Sequence, residues 1–140
     1  MRREIIEKIL EVLKSNPEIA SQVKYFYFGR PVKALDWPFI VVEPAAAVGV
    51  NISDESHDRR KHVFPVNILV YARSVKEDEA EKTALDLVEK VYAVIVANPT
   101  LDNLVVDAAL VTVTPEAPPL YEGEYAISVQ RLTLEAWWLE

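Results

Sequence analysis

His62-Val-Phe-Pro-Val-Asn-Ile-Leu-Val-Tyr-Ala-Arg73 runs straight into Ser74-Val-Lys-Glu-Asp-Glu-Ala-Glu-Lys-Thr-Ala-Leu-Asp-Leu-Val-Glu-Lys-Val-Tyr-Ala-Val-Ile-Val-Ala-Asn-Pro99. The first piece has a period of two. Phe64, Val66, Ile68, Val70 and Ala72 share one face, and Pro65, Asn67, Tyr71 and Arg73 fall on the other. That alternation predicts a long strand. Pro65 has no amide donor, so its end of the strand is expected at an edge or beyond the ladder. The second piece repeats at three and four residues. Ala80, Ala84, Leu87, Val88, Val91, Val94 and Ile95 form a stripe, with Tyr92 flanking it. This is a helix of about six turns, long enough to cross a small sheet. Ser74 and Glu77 have the spacing of a capping box, and Glu77, Asp78 and Glu79 suit the positive end of the helix. Asn98-Pro99 closes it.

Toward the N-terminus, residues 51–62 (Asn51-Ile-Ser-Asp-Glu-Ser-His-Asp-Arg-Arg-Lys-His62) are almost wholly polar. They separate two apolar runs, Phe39 to Val42 and Val63 to Ala72. Hairpin loops commonly need about two to five residues. A flexible charged loop over about 45–62 is therefore expected, and loops of that kind are common binding surfaces. Phe39-Ile-Val-Val42 is apolar on both faces, which predicts a central strand or one covered on both sides. Val23 to Phe28 reads as an aromatic strand broken by Gly29-Arg-Pro31. Alternate aromatics of Tyr25-Phe-Tyr-Phe28 would be left outside in a lone monomer. Residues 2–14 carry a helical stripe of Ile5, Ile6, Ile9, Leu10, Val12 and Leu13. Ser15-Asn16-Pro17 ends it, and one short helical turn follows.

Toward the C-terminus, Leu104 to Thr114 is a strand stopped by Pro115. Residues 115–123 read as a second loop, stiffened by Pro115, Pro118 and Pro119. Glu124 to Leu139 is the last strand. Its apolar parity changes partway, from Tyr125, Ile127 and Val129 to Leu132, Leu134, Ala136 and Trp138. A one-residue bulge near Gln130–Arg131 would bring both sets to one side. Hairpin-type connections then imply an α+β fold: a small, mostly antiparallel sheet with two helices packed on one face.

Composition bounds the function. The 140 residues fit a single domain 1–140, with 51% hydrophobic and 26% charged residues;. There is no cysteine, so neither a disulfide framework nor a thiolate metal site is expected;. No apolar stretch approaches about 18 residues, so no membrane partner is expected. Charges run through the N-terminal stripe, which does not read as a signal peptide. The net charge is −7. The basic cluster Arg59-Arg60-Lys61 is flanked by Asp54, Glu55 and Asp58, so a phosphate-binding face and specific nucleic-acid binding are not expected.

Candidate chemistry is thin. His57 and His62 lie near Asp54, Glu55 and Asp58, but a metal site needs three or four converging ligands, and no loop enforces that here. Ser53, Ser56 and His57 are not held on a nucleophile elbow. Glu43, Asp107 and Glu135 are more simply surface residues of strands than an acid–base pair. Gly29, Gly49 and Gly123 are scattered, so no phosphate cradle forms. The expectation is no enzyme, no catalytic residues, no metal and no cofactor. Trp137 and Trp138 are adjacent on a strand and face opposite ways. One should enter the core and the other meet solvent or a partner.

The order of elements resembles the tail terminator, or tail-completion, proteins of long-tailed bacteriophages and prophages. Trp37–Glu43, His62–Arg73, Ser74–Leu101 and Tyr125–Trp138 carry the resemblance. It implies a tail-terminator-like subunit that forms a homo-oligomeric ring, typically a hexamer, on the finished tail tube. Such a ring stops tube polymerisation and offers a face to head-completion or neck proteins. The implied partners are other copies of the chain, the tail tube protein and a neck protein. The implied location is the virion, with the host cytoplasm during assembly. The expected interface residues are Asp54, Glu55, Asp58, Arg59, Arg60 and Lys61 on the charged loop, Leu120 and Tyr121 on the second loop, and Trp137. A different neck or tail-tube component, or a small dimeric ligand-binding regulatory α/β domain, is the alternative. An enclosed apolar pocket with converging polar groups would favour the last of these.

Overall fold

A computed structural model describes the backbone of residues 1–45, 51–56, 59–115 and 120–140, and the side chains within these ranges except at 51–60 and 111. The fold is α+β. Helix α1 (Arg2–Lys14) buries Ile5, Ile6, Ile9, Leu10 and Leu13. The Asn16 side chain caps the short helix α2 (Pro17–Ala20) by accepting from the amides of Glu18 and Ile19;. Strands β1 (Tyr25–Phe28), β2 (Phe39–Pro44), β3 (Asn51–Ser56) and β4 (Arg59–Ser74) follow, then helix α3 (Glu77–Ala97) and strands β5 (Asp107–Pro115), β6 (Leu120–Glu122) and β7 (Tyr125–Leu139).

The sheet order is β1-β2-β4-β7-β5, with β3 also on β4 and β6 also on β7. Each pair is antiparallel except β1 with β2. That parallel pair arises because residues 29–38 carry the chain back to the start of the next strand instead of reversing it in a hairpin. Both long helices pack on one face. Their apolar stripes meet Ile40, Val42, Val66, Ile68, Val70, Leu132, Leu134 and Ala136. The opposite face has its own smaller cluster of Phe39, Val41, Leu69 and Val129, covered by Tyr27, Ala34, Trp37, Tyr71 and Ile127. β2 lies between β1 and β4 and is buried on both faces, as its uninterrupted apolar run predicted.

Several expectations need correction. The register of β4 with β7 runs unbroken from Lys61↔Leu139 to Ser74↔Ala126, so there is no bulge at Gln130–Arg131. The parity of β7 changes because the apolar surface itself changes face. Ile127 and Val129 join the smaller cluster, while Leu132, Leu134, Ala136 and Trp138 join the helix-covered core. The irregularity sits on the neighbouring strand, between Leu110 and Thr112. One extra residue there lets both Leu110 and Val113 lie directly opposite helix-face partners, Leu134 and Leu132;.

Pro65 stays within the ladder to β7 but stands at a local edge of β4 on its other side. It lies mid-strand in β4 opposite Glu135, at the point where β2 has ended and β3 has not begun. Its carbonyl accepts from the amide of Ala45 at 3.0 Å. A residue's N–H and C=O point to the same side of a strand, so the missing donor faces that interruption and leaves the β7 ladder intact.

The polar stretch is likewise not an open loop. Asn51–Ser56 pairs antiparallel with β4, from Asn51↔Val63 to Ser56↔Arg59. β4 outlasts β2, and its unpaired backbone edge can accept any segment free of proline. His57 and Asp58 lie outside the described residues, as do residues 46–50. In the second expected loop, Leu120–Glu122 forms a hairpin with β7. Gly123, at φ 61, takes the first turn position, where a β-branched or bulky side chain would be strained;. Pro118 and Pro119 lie outside the described residues.

The capping box is absent. The N-cap of α3 is Lys76, with no side-chain cap, and Ser74 ends β4. The Ser74 hydroxyl accepts from the Lys76 amide and donates to Glu79. The acidic first turn and the stop at Asn98 are as expected. After α3, Leu101, Asp102 and Asn103 all have positive φ. Asn98 holds this unusual turn by accepting from the Asp102 amide and donating to its carboxylate, while Leu101 is fully buried beneath it;.

Pair registers across the sheet define level rows. Phe28, Val42, Ile68, Leu132 and Val113 form one such row. Its three inner members are inaccessible to solvent and belong to the helix-face core.

Candidate assembly interface

The expected interface residues do not form one patch. Lys61 and Trp137 come together: the ammonium stands 4.7 Å from the indole centroid, at the end of the sheet where Lys61 pairs with Leu139. Leu120 and Tyr121 lie on β6, where Leu120 pairs with Ile127. Twelve residue steps separate Ile127 from Leu139, a span of about 40 Å. The charged hairpin and the β6 hairpin therefore sit at opposite ends of β7. The backbones of Asp54, Glu55, Arg59 and Arg60 lie in β3 and β4, and Asp58 is outside the described residues.

The two tryptophans divide as their adjacency requires. Trp138 packs against the helix-face core, with the His62 ring stacked on it at 5.2 Å. Trp137 is half-buried on the other face, beneath Lys61. His62 Nε2 is 2.6 Å from a Glu140 carboxylate oxygen, an ion-pair distance once the imidazole is protonated, though the contact lacks hydrogen-bond alignment.

Tyr121 is exposed along its ring but tethered at its tip. Its hydroxyl donates to Glu77 Oε2 at 2.8 Å, and this bond, reinforced by the carboxylate charge, raises the phenol above its ordinary value of 10.0. Thus Tyr121 joins β6 to the start of α3. Lys8 plays a similar bracing part on α1, bonding Glu11 and reaching Asp102 in the turn after α3.

Exposed large apolar side chains lie along both sheet edges, and others on α3 at Leu85, Tyr92 and Val96. On the β1 side are Tyr25, Phe28, Val32 and Leu35. On the β5–β6 side are Val106, Val113, Leu120 and Tyr121. The aromatic strand does not alternate: Tyr25 and Phe28 are exposed, while Phe26 and Tyr27 are half-buried. Phe26 packs toward the helix core and Tyr27 toward the smaller cluster, so both inner residues find cover. Sequence reasoning missed Val32, Leu35, Val106 and Val113. Val32 and Leu35 carried a usable signal, as apolar residues within a segment broken by glycine and proline. Val113 carried none, because its outward position depends on β5 being the last strand.

The surface formed by the described residues has open hollows. One is lined by Glu7, Leu10, Glu11, Lys14 and Ser15, another by Met1, Arg2, Arg3, His62, Trp138 and Glu140. Neither is an enclosed apolar pocket. Among the described residues, no three metal-ligating side chains converge, and no helix is long and apolar enough to cross a membrane.

The chain is similar to a chain of a solved structure described as "Virion of native gene transfer agent (GTA) particle", with a TM-score of 0.48 and 9% sequence identity over 91% of this chain and 90% of that chain. No protein-family model matches the sequence. No curated protein matches it either.

Proposed function

We propose that this chain is a structural subunit of a phage-type virion, a tail terminator that assembles into a ring, caps the tail tube and joins it to the neck. The observation that carries the reading is that exposed apolar side chains line both edges of one sheet, with different residues on each edge. A subunit with different complementary patches associates head to tail, and such a contact closes into a ring when the rotation permits. The resemblance of Trp37–Glu43, His62–Arg73, Ser74–Leu101 and Tyr125–Trp138 to tail terminators supports the specific role. The protein acts by shape and charge, without chemical turnover. Its partners are further copies of itself, the tube protein and a neck protein, and it resides in the virion after assembly in the host cytoplasm. The charged hairpin suits contact with the tube, since mixed charges select register and partner more than they add affinity.

Electron microscopy of tubes polymerised from the tube protein of the same virus tests the role. Adding this chain should arrest elongation and leave a ring at one tube end. Tubes of unrestricted length with bare ends would reject it.

A further inference from the structure

Phe28 and Val113 terminate the same apolar row, and we propose that they meet between copies: β1 of one subunit pairs antiparallel with β5 of the next, seating Phe28 against Val113. This rests on the self-assembly reading above and names the surfaces that carry it.

The row gives the first reason. Val42, Ile68 and Leu132 are inaccessible to solvent, whereas Phe28 is 51% and Val113 42% exposed. Both ends are open because, among the described residues, no further strand lies beside β1 or β5. Strand direction gives the second. β1 runs with β2 and β7, and β5 runs with β4, against them. Copies repeated around an axis along the strands therefore bring β1 and β5 together antiparallel. That continues the ladder in its more stable form and satisfies backbone groups that face solvent in a single copy.

Level gives the third reason. A closed ring relates its subunits by rotation without translation along the axis. With the axis along the strands, a row on one copy meets the same row on the next, so the seam falls at Phe28 and Val113. Charge agrees with this direction. Lys24, Arg30 and Lys33 around β1 stand against Asp36 and Glu43, which leaves one cation in excess. Asp107, Glu122 and Glu124 flank the β5–β6 edge. An excess of cations thus faces an excess of carboxylates. In this register Phe28 meets Val113 and Tyr27 meets Thr114, while Phe26 falls opposite Pro115, whose missing donor ends the short seam;.

The absence of cysteine permits a direct test. Phe28→Cys and Val113→Cys are made singly and together, and treated with a short bis-maleimide. Both positions are exposed, and circular dichroism of each variant verifies the fold. The double variant should give a ladder of multimers that ends in a closed species. An equal mixture of the two single variants should stop at the heterodimer, and each alone should stay largely uncrosslinked. Phe28→Glu, which leaves the cysteine chemistry aside, should lower the native mass to that of a monomer.

Abundant dimer from Phe28→Cys alone would mean that β1 pairs with itself and would overturn the proposal. A multimeric native mass without the ladder would also overturn it, while leaving the ring reading standing. A ladder of open, unlimited length would keep the β1–β5 seam and reject the ring. A wild-type chain that stays monomeric, together with a double variant that yields no ladder, would defeat both.

Discussion

The two faces of the sheet are covered in different ways. On one, α1, α2 and α3 bury a continuous apolar surface that includes the middle of every long strand. On the other, a small cluster is roofed by aromatic side chains of residues 27–39 and by Tyr71. Trp37 lies 4.7 Å from Phe39, which stacks on Tyr71 at 4.5 Å, and the Arg73 guanidinium is sandwiched between Trp37 and Tyr125. Helices cover area. The far face uses ring geometry and cation–π contact to cover a smaller area with fewer residues. The difference explains how a chain of this length gives both sides of a five-strand path some cover and still leaves both edges free.

Core truncation gives the largest test of that contrast. Ile68 and Leu69 are neighbours in β4, equally inaccessible, and face opposite sides. Ile68→Ala should cost about 4 kcal/mol in urea unfolding, toward the upper end for such changes. Leu69→Ala should cost about 2–3 kcal/mol, because the thinner roof can settle into the space. Equal losses would mean that the aromatic roof is as rigid as the helices.

Removing the roof is the next smaller change. Trp37→Ala should destabilise by about 2 kcal/mol, less than a buried tryptophan because Trp37 is only half-buried;. Near-ultraviolet circular dichroism should lose aromatic signal while the helical far-ultraviolet signal stays. A matching loss of helix would show that the two faces do not behave separately.

The smallest effect concerns Tyr121, where the far edge is tied to α3. Its pKa is raised because the neutral hydroxyl donates to Glu77. The tether is therefore fully present below the ordinary tyrosine value and is lost as pH rises through the raised one. In alkaline titration, the Glu77→Gln variant should shift the Tyr121 phenolate absorbance downward in pH. An unchanged titration would show that the bond does not hold in solution.

Local periodicity made much of the fold legible. The stripes of 2–14 and 77–97, the alternation of 62–73 and the doubly apolar Phe39–Val42 each specify a type of element, because side-chain direction repeats with the backbone. The hairpin over 51–61 was not legible. Its residues have a loop-like composition, and they pair because β4 extends past Pro44 and offers a free edge. The parity change in β7 was visible, yet its cause was misassigned. Alternation reports which residues are apolar and cannot report that a sheet has two covered faces. Of the interface residues, Lys61 and Trp137 do come together, but Leu120 and Tyr121 lie at the far end of β7.

Sequence alone thus determined the kinds of element and the apolar stripe of each helix, because these follow from spacing within a dozen residues. The tertiary structure decided which strands lie at the edges, where Pro65 finds a ladder with no donor required of it, and which apolar side chains remain uncovered. Those outcomes depend on pairing between segments far apart in the chain. No local pattern records whether a strand has a neighbour on its other side.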